Sequence, residues 1–407
     1  MKGQLRRLRV VLAGAHVGTI AETAAGEIFF EYSPEWLQLG FPISPYHLPL
    51  TPGLKQEETR IFEGLFGVFD DSLPDGWGRL LTDRFFRSRG ITPEQLSPLE
   101  RLAYVGRHGM GALEYEPPEG VDGSSAFAVD LAAIADQSER IVNGSPEEAL
   151  PALRAAGGSS SGSRPKAFVA LHPATGEMTS DILNPGPGFE HWLVKFRSKE
   201  DPADAGAIEV AYAELAIRSG IDMPATRLFN TPSGDFFGIE RFDWKTGGAR
   251  IHTHTFGGLI HSDFRQPVRD YQEYLRVVFD VTKDFRQVEQ AYLRAAFNVF
   301  AHNRDDHVKN FAFIRQAEGE WSLSPAYDIT FSHGVRGQHN MMVMGNGDPT
   351  SKELLGLADD AQISKPKARA MLDAVRASIA EWPKVARRFD LSQKTTGNLA
   401  RVFSERR

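Results

Sequence analysis

The 407-residue chain contains no cysteine. That absence excludes disulfides, thiolate zinc sites, iron–sulfur clusters and cysteine nucleophiles together, and it fits a reducing compartment. Long apolar runs are missing as well: no window approaches the roughly 18 uninterrupted apolar residues of a membrane-spanning helix. Lys2, Arg6, Arg7 and Arg9 give the first residues the look of a signal peptide, but the apolar stretch that follows, Val10 to Ala13, is too short to continue one. A cytoplasmic protein without membrane contact is expected. Positive charge is not in excess either. The 46 Lys and Arg face 53 Asp and Glu, for a net charge of −7. Proteins that coat nucleic acid or anionic membranes are usually basic, so both roles drop in rank, although a local basic patch is compatible with the total. No internal repeat is evident.

What is present is ordinary globular material. Hydrophobic residues make up 41% of the chain, enough for a large core, and the length predicts two to three domains. Leu8, Val10 and Leu12 alternate with Arg7 and Arg9, which predicts a strand with one buried face. Gly14 marks a turn, and Val17–Ile20 and Glu27–Tyr32 read as further strands of a small meander. From Phe62 to Arg89 the pattern turns helical. Pro74-Asp75-Gly76 interrupts it, and Trp77, Leu80, Leu81 and Phe85 recur at helical spacing. Ser97 and Pro98 look like the cap and first residue of a helix to Val105, followed by a glycine-rich turn at Gly106 to Gly111.

Residues 117–165 shift in composition towards Pro, Gly and Ser, with helices expected near Val129–Ile141 and Pro146–Arg154. A domain boundary is placed within residues 120–150. Lys166–His172 and His191–Phe196 then read as strands, and Ile208–Ser219 as a helix closed by Gly220 and Pro224. Thr226–Asn230 and Asp235–Glu240 form a strand pair around Pro232-Ser233-Gly234. After Tyr271 the chain is mostly helical, with an apolar helix at Tyr292–His302, a hairpin of Phe311–Arg315 and Trp321–Ser324 around Gly319, and one or two helices after Lys365.

Three features carry chemistry. The first is the run Gly157 to Lys166, GGSSSGSRPK, directly before a strand. Its backbone N–H groups, hydroxyls and the cations Arg164 and Lys166 are what a phosphate-cradling loop needs. Taken alone, such a run is more often a flexible linker. The second is Arg304-Asp305-Asp306-His307-Val308-Lys309-Asn310, which leaves the apolar helix. An Asp followed by Lys and Asn in a loop orients a hydroxyl, neutralises phosphate charge and binds a metal, whereas the bland alternative is a solvated, Asp-capped turn. The third is Tyr327-Asp328-Ile329, just after a strand. Asp328 suits metal coordination at a nucleotide site, or serves as a turn former.

Order sharpens the choice. A phosphate loop, a strand lysine (Lys195), a helix glutamate (Glu209), an Asp/Asn loop and a metal aspartate follow one another, as in protein-kinase-like phosphoryl transferases. Asp305 and Asn310 are five positions apart, the kinase-loop spacing, and Asp328 lies 18 further on.

At these residues the chain resembles the HipA-like serine/threonine kinases, the toxins of bacterial type II toxin–antitoxin modules. Ser72-Leu73-Pro74-Asp75-Gly76-Trp77-Gly78 is similar to the family's N-terminal motif. Ser161-Gly162-Ser163-Arg164-Pro165-Lys166, Glu240-Arg241-Phe242-Asp243, Asp305 to Asn310 and Pro325-Ala326-Tyr327-Asp328 are similar to its kinase core. The resemblance implies an α+β fold: a small N-terminal domain over 1–120, a linker and N-lobe-like part over 121–245, and a helical catalytic lobe over 246–407.

The resemblance also implies ATP and Mg2+ as cofactors, with Asp305 as catalytic base and Asn310 and Asp328 as metal ligands. Lys195 contacts the phosphates with Glu209 as its helix partner. Glu240, Arg241 and Phe242 form the hinge that meets adenine through backbone groups. Ser161, Gly162, Ser163, Arg164, Pro165 and Lys166 cover the phosphates, and His307, Val308, Lys309 and Tyr327 complete the nucleotide site. Ser159 is the autophosphorylated, silencing serine, with Ser160, Ser161 and Ser163 as alternatives. An aminoacyl-tRNA synthetase is the protein substrate expected from the family, and a helix-turn-helix antitoxin is the partner through which DNA is reached.

The stretch His252 to Phe264 departs from the family pattern, which leaves the substrate open. His252, His254 and His261 fit no common zinc spacing. Two alternatives to an active protein kinase stand beside it: a catalytically silent regulatory homologue and a small-molecule kinase.

Overall fold

The computed structural model describes residues 7–117, 128–143, 162, 164–198, 201–245, 247–266, 269–315 and 319–404. The helix expected at Pro146–Arg154 and the loop serines Ser159, Ser160, Ser161 and Ser163 lie outside these residues. The fold is α+β. The chain divides into two compact units. The first comprises Met1–Asp201, Thr231–Gly234 and Gly238–Asp263, and the second Pro202–Asn230, Asp235–Phe237 and Phe264–Arg407.

The first unit opens with an antiparallel sheet of β1 (Arg7–Leu12), β2 (Ala15–Glu22), β3 (Ile28–Tyr32), β4 (Lys55–Gln56) and β5 (Leu113–Glu116), in the order β4-β3-β2-β1-β5. Alternation places Leu8 and Val10 in the core while Arg7 and Arg9 face outward. A bulge between Val10 and Val11 ends the alternation, so Val11 and Leu12 are both buried. Ala13 and Gly14, at φ 51° and 80°, form the two-residue turn into β2 that a right-twisted hairpin favours. Arg9 faces Glu116 across the β1–β5 pair, with a 3.0 Å ion pair at the surface.

The helix Pro98–Val105 packs on this sheet, and the helix Gly76–Ser88 buries Trp77, Leu81 and Phe85. Leu80, grouped with them on spacing, lies on the outer face at 37% exposed. The helix Pro98–Val105 starts in a capping box. Ser97 Oγ accepts the Glu100 N–H and Glu100 Oε2 accepts the Ser97 N–H. It ends at Gly106, whose φ of 52° suits glycine. A short helix at Pro34–Leu39 and the strand β5 have no counterpart in the sequence reading.

The same unit carries β6 (Lys166–Leu171), β7 (Met178–Thr179) and β8 (Glu190–Lys195). Strand β6 pairs antiparallel with both others and is buried at all six positions, as a central strand requires. The helix Leu131–Val142 is capped by Asp130, which accepts the Ala132 and Ala133 N–H groups.

The second unit is mostly helical. Its centre is the helix Phe285–Phe300, capped by Asp284 and continuously buried from Ala291 to Phe300. This helix begins seven residues before the apolar stretch read as Tyr292–His302, because its first turns carry polar residues on an exposed face. Phe313 and Leu323 are register partners in the hairpin Ala312–Arg315 with Trp321–Leu323. Three helices follow Lys365, at Lys365–Ala380, Trp382–Arg388 and Gln393–Ser404. Trp382, Tyr212 and Phe403 pack edge-on or tilted at 5.5–6.0 Å to hold them to the helix Ala205–Arg218. No helix among the described residues is long and apolar enough to cross a membrane.

Candidate active site

Two clusters hold the residues singled out by sequence. In the first unit, Lys166 and Lys195 are register partners on β6 and β8. Both are buried, and cross-strand partners project from the same face. Two lysines at opposed positions of one sheet face concentrate positive charge there.

The chain reaches Lys166 through a segment tied to the N-terminal motif. The Gly162 N–H donates to the Asp75 carboxylate, the Trp77 N–H donates to the Gly162 carbonyl at 2.8 Å, and the Trp77 indole N–H donates to the Lys166 carbonyl at 3.0 Å. Pro165 offers its carbonyl to the Phe196 N–H at 2.8 Å, and Arg164 pairs with Asp201 at 2.9 Å. Gly162 has φ 96°, a left-handed conformation that favours glycine. In this arrangement the Gly162 N–H is committed to Asp75 and is not presented to a phosphate.

Glu240, Arg241 and Phe242 leave the strand Gly234–Glu240. The Arg241 N–H donates to the His191 carbonyl at 2.7 Å, so in an extended chain the backbone groups of Glu240 and Phe242 face the opposite edge. The Arg241 side chain is structural. It forms a two-pronged pair with Asp243 at 2.9 and 2.7 Å, while Asp243 also accepts the Gly111 N–H at 2.7 Å. Burial pushes the Asp243 carboxyl up, but the Arg241 guanidinium and these hydrogen bonds outweigh it and hold it below its ordinary range.

The three histidines of the departing stretch are all hydrogen-bonded within this unit. His252 Nε2 meets the Ile43 carbonyl at 2.8 Å. His254 bridges Asp71 Oδ2 at 2.6 Å and Ser44 Oγ at 3.0 Å, the line-up of a nucleophile triad. Ser44 and His254 are 1% and 0% exposed, so this line is an internal brace. His261 Nε2 accepts the Gly67 N–H at 3.1 Å, and its ring stacks on His47 at 3.5 Å. No group of three or more His, Asp or Glu placed to hold a metal occurs among the described residues.

In the second unit, the buried helix Phe285–Phe300 ends and the chain turns at His302, φ 53°, into the polar loop. Its two aspartates have opposite settings. Asp306 is fully buried. It accepts the Tyr271 hydroxyl at 2.8 Å, His339 Nδ1 at 2.9 Å and the N–H groups of Asn340 and Met341 at 2.9 and 3.4 Å. Burial, and next Asp306, hold the Tyr271 hydroxyl far above its ordinary pKa, so it stays protonated and donates. Asp305 faces the other way. Asn310 Nδ2 donates to its carbonyl at 2.7 Å, which leaves the amide oxygen of Asn310 turned outward. His307 caps the turn Val308–Asn310 by accepting the Lys309 N–H at 3.3 Å, and the Tyr327 hydroxyl fixes the Lys309 carbonyl at 2.7 Å.

Asp328 adopts φ 54°, a left-handed conformation that Asp and Asn tolerate better than other non-glycine residues. Its carbonyl accepts Asn303 Nδ2 at 3.3 Å. From there a polar chain runs through Asn303, Asn298 and Tyr271 to Asp306, with links of 3.0, 2.9 and 2.8 Å. A small cleft is lined by Asn298, Asn303, Asp306, Asn310 and Tyr327 among others. Asn303 Oδ1 is buried there without a hydrogen-bond partner, an oxygen that a cation or its water would satisfy. His339, Asn340, Tyr271, Asn298 and Asn303 escaped the sequence reading as site residues, and Asp306, named within the loop, was given no role of its own. The one local signal was the doubled aspartate.

A sheet-bearing unit with paired buried lysines and a helical unit with an Asp-x4-Asn loop define a kinase-like α+β protein. Residues 8–116 match the HipA N-terminal domain and residues 158–382 match the HipA-like C-terminal domain. The chain belongs to the HipA family. Among solved structures, HipA of the Shewanella oneidensis MR-1 toxin–antitoxin system, in complex with HipB and operator DNA, has the same fold. It aligns with a TM-score of 0.72 at 16% identity, over 98% of this chain and 95% of that one. The Helicobacter pylori proinflammatory kinase CtkA aligns with a TM-score of 0.35 at 12% identity, over 53% of this chain and 83% of its own.

Proposed function

We propose that the protein is an ATP-dependent serine/threonine protein kinase of the HipA toxin type. The observation that carries this reading is the division of labour in the Asp305–Asp306 pair. Asp306 is saturated with four donors and sealed from solvent, whereas Asp305 lies exposed on the loop, where a substrate hydroxyl can reach its carboxylate. Asp305 accepts the proton of the substrate hydroxyl and orients its oxygen for attack on the γ-phosphorus. Lys166 and Lys195 hold phosphate charge, and Glu240 and Phe242 offer backbone groups to adenine.

The donor set also fits Mg2+. Asn310 and Asn303 line the cleft, the latter with Oδ1 unpaired, and Asp328, whose carbonyl accepts Asn303 Nδ2, would supply a carboxylate. Hard oxygen ligands with room for water suit this ion, which when bound neutralises charge on the β- and γ-phosphates.

Silencing by phosphorylation of a loop serine, Ser159 first, belongs to the same proposal. So does a helix-turn-helix antitoxin that carries DNA contact for a chain of net charge −7. The HipB complex of the Shewanella oneidensis protein supports the antitoxin partner. An aminoacyl-tRNA synthetase is the proposed substrate, with arrest of translation as the outcome.

The test is Asp305→Asn with labelled ATP and magnesium. Loss of at least about 100-fold in transfer, with nucleotide affinity retained, is expected for removal of a general base. A variant as active as wild type would refute the assignment, and label appearing only on an added metabolite would mark a small-molecule kinase.

A further inference from the structure

The loop residue that the kinase parts list leaves out is Asn340, 35 positions after Asp305. Its side-chain amide donates to the Arg304 carbonyl at 3.1 Å and to Asp305 Oδ1 at 3.2 Å. The orientation of this amide is forced. A backbone carbonyl only accepts, so the group facing Arg304 is the NH2, and the same NH2 meets Asp305.

Asn340 is itself held rigidly. Its own N–H donates to Asp306 Oδ1 at 2.9 Å. On one side His339 gives its N–H to the Gly347 carbonyl at 2.8 Å and its Nδ1 to Asp306 at 2.9 Å. On the other, Met341 pairs with Arg269 in a short parallel bridge. The buried Asp306 therefore serves as an anchor for the segment that carries Asn340.

We propose that Asn340 is a positioning residue for Asp305. It rests on the reading of Asp305 as the base. An N–H donor on Oδ1 restrains the plane of the carboxylate and so its orientation towards a substrate hydroxyl. A carboxylate freed to rotate samples unproductive orientations, and misorientation is costly for a step that depends on positioning. The clamp acts on the rate of transfer and leaves ATP binding alone, because the Asn340 side-chain amide donates to Asp305 and to the Arg304 carbonyl beside it.

Steady-state kinetics of Asn340→Ala, Asn340→Asp and Asp305→Asn test this, with thermal melting to verify folding. The main-chain bonds of residue 340 survive in every variant. Asn340→Ala is expected to lower kcat about 10- to 100-fold with KM for ATP within twofold. Asn340→Asp, which sets a second carboxylate against Asp305, is expected to fall further. Asn340→Ala with kcat near wild type while Asp305→Asn is inactive would overturn the clamp and spare the base. Asp305→Asn as active as wild type would overturn the base instead. A readout free of activity is the side-chain NH2 signal of Asn340 in a 15N correlation spectrum. It is expected to shift on Asp305→Ala, and an unmoved signal counts against the contact.

Discussion

Lys166 and Lys195 stand opposite each other on neighbouring antiparallel strands, and both are buried. Like charges directly opposite on one sheet face repel, and a bound anion would relieve that repulsion. On the proposed function, the phosphate groups of a nucleotide are that anion. Lys195→Met is expected to weaken ATP binding by roughly 10- to 100-fold, the range for losing one hydrogen-bonded charge contact. Thermal melting with and without nucleotide measures it, since saturating ligand at about 100 times Kd adds about 2.7 kcal/mol of stability. Undiminished stabilisation of the variant by ATP would exclude Lys195 from the site.

Asp75 is the carboxylate of the N-terminal motif that receives the Gly162 N–H, 87 residues away. A hydrogen bond to a charged group contributes about 1.5–3 kcal/mol, and local opening of the loop scales with it. Asp75→Ala is expected to speed hydrogen exchange of the Gly162 amide at least about tenfold. Trp77→Phe, which removes only the indole bond to the Lys166 carbonyl, has a smaller effect there. Equal exchange in wild type and Asp75→Ala would show that the motif does not secure the loop.

These contacts explain what was legible in the sequence. Strands β1 to β3 showed because Leu8, Val10 and Val17 repeat at the period of a half-buried sheet. The cap at Ser97 and the helix start at Pro98 were readable because they are adjacent in sequence, and the structure adds Glu100 as the reciprocal partner of the cap. Asp305 was found by its spacing to Asn310, a local relation. The burial of Asp306 depends on Tyr271 and His339, 35 and 33 residues distant, and no local window contains them. The same holds for Asp75 and Gly162. Strand β5 was missed because it is four residues long and gains its identity from pairing with β1.

His261 and His47 form a pH-sensitive pair. Burial, together with the His47 ring stacked on it, pushes His261 down to about 4, with Glu57 acting the other way and His254 adding to the depression. His47 is also lowered, first by burial. In the unfolded chain both take up protons near pH 6.5, while the folded chain resists until about 4 for His261. The unfolded state thus binds more protons in that window, and stability falls as pH drops from 6.5 towards 4. Glu57, held below its ordinary value despite burial by Thr59 and His261, loses its contribution on acidification as well, so the trends add. His261→Gln, whose amide oxygen can still accept the Gly67 N–H, is expected to flatten the fall in Tm across this range. An unchanged slope would place the acid sensitivity elsewhere.

Asp328 joins a backbone requirement to a chemical one. At φ 54° an alanine costs about 1–2 kcal/mol, whereas asparagine accepts the conformation with little penalty. Asp328→Asn therefore preserves the turn and the bond from Asn303 Nδ2 to the residue-328 carbonyl, and removes one negative charge. If that charge holds Mg2+, the variant melts near wild type and binds metal-free ATP normally. It loses most of the gain in affinity that magnesium gives, about tenfold or more for one charged ligand. Calorimetric titration of ATP with and without magnesium separates the two effects. Retention of the full magnesium gain by Asp328→Asn would assign the ion to other oxygens of the cleft, whereas a large drop in Tm would show that Asp328 serves the turn itself. Asp328→Ala completes the comparison. It lacks both the charge and the tolerance for left-handed backbone, so it is expected to show the metal defect of asparagine together with a lower Tm.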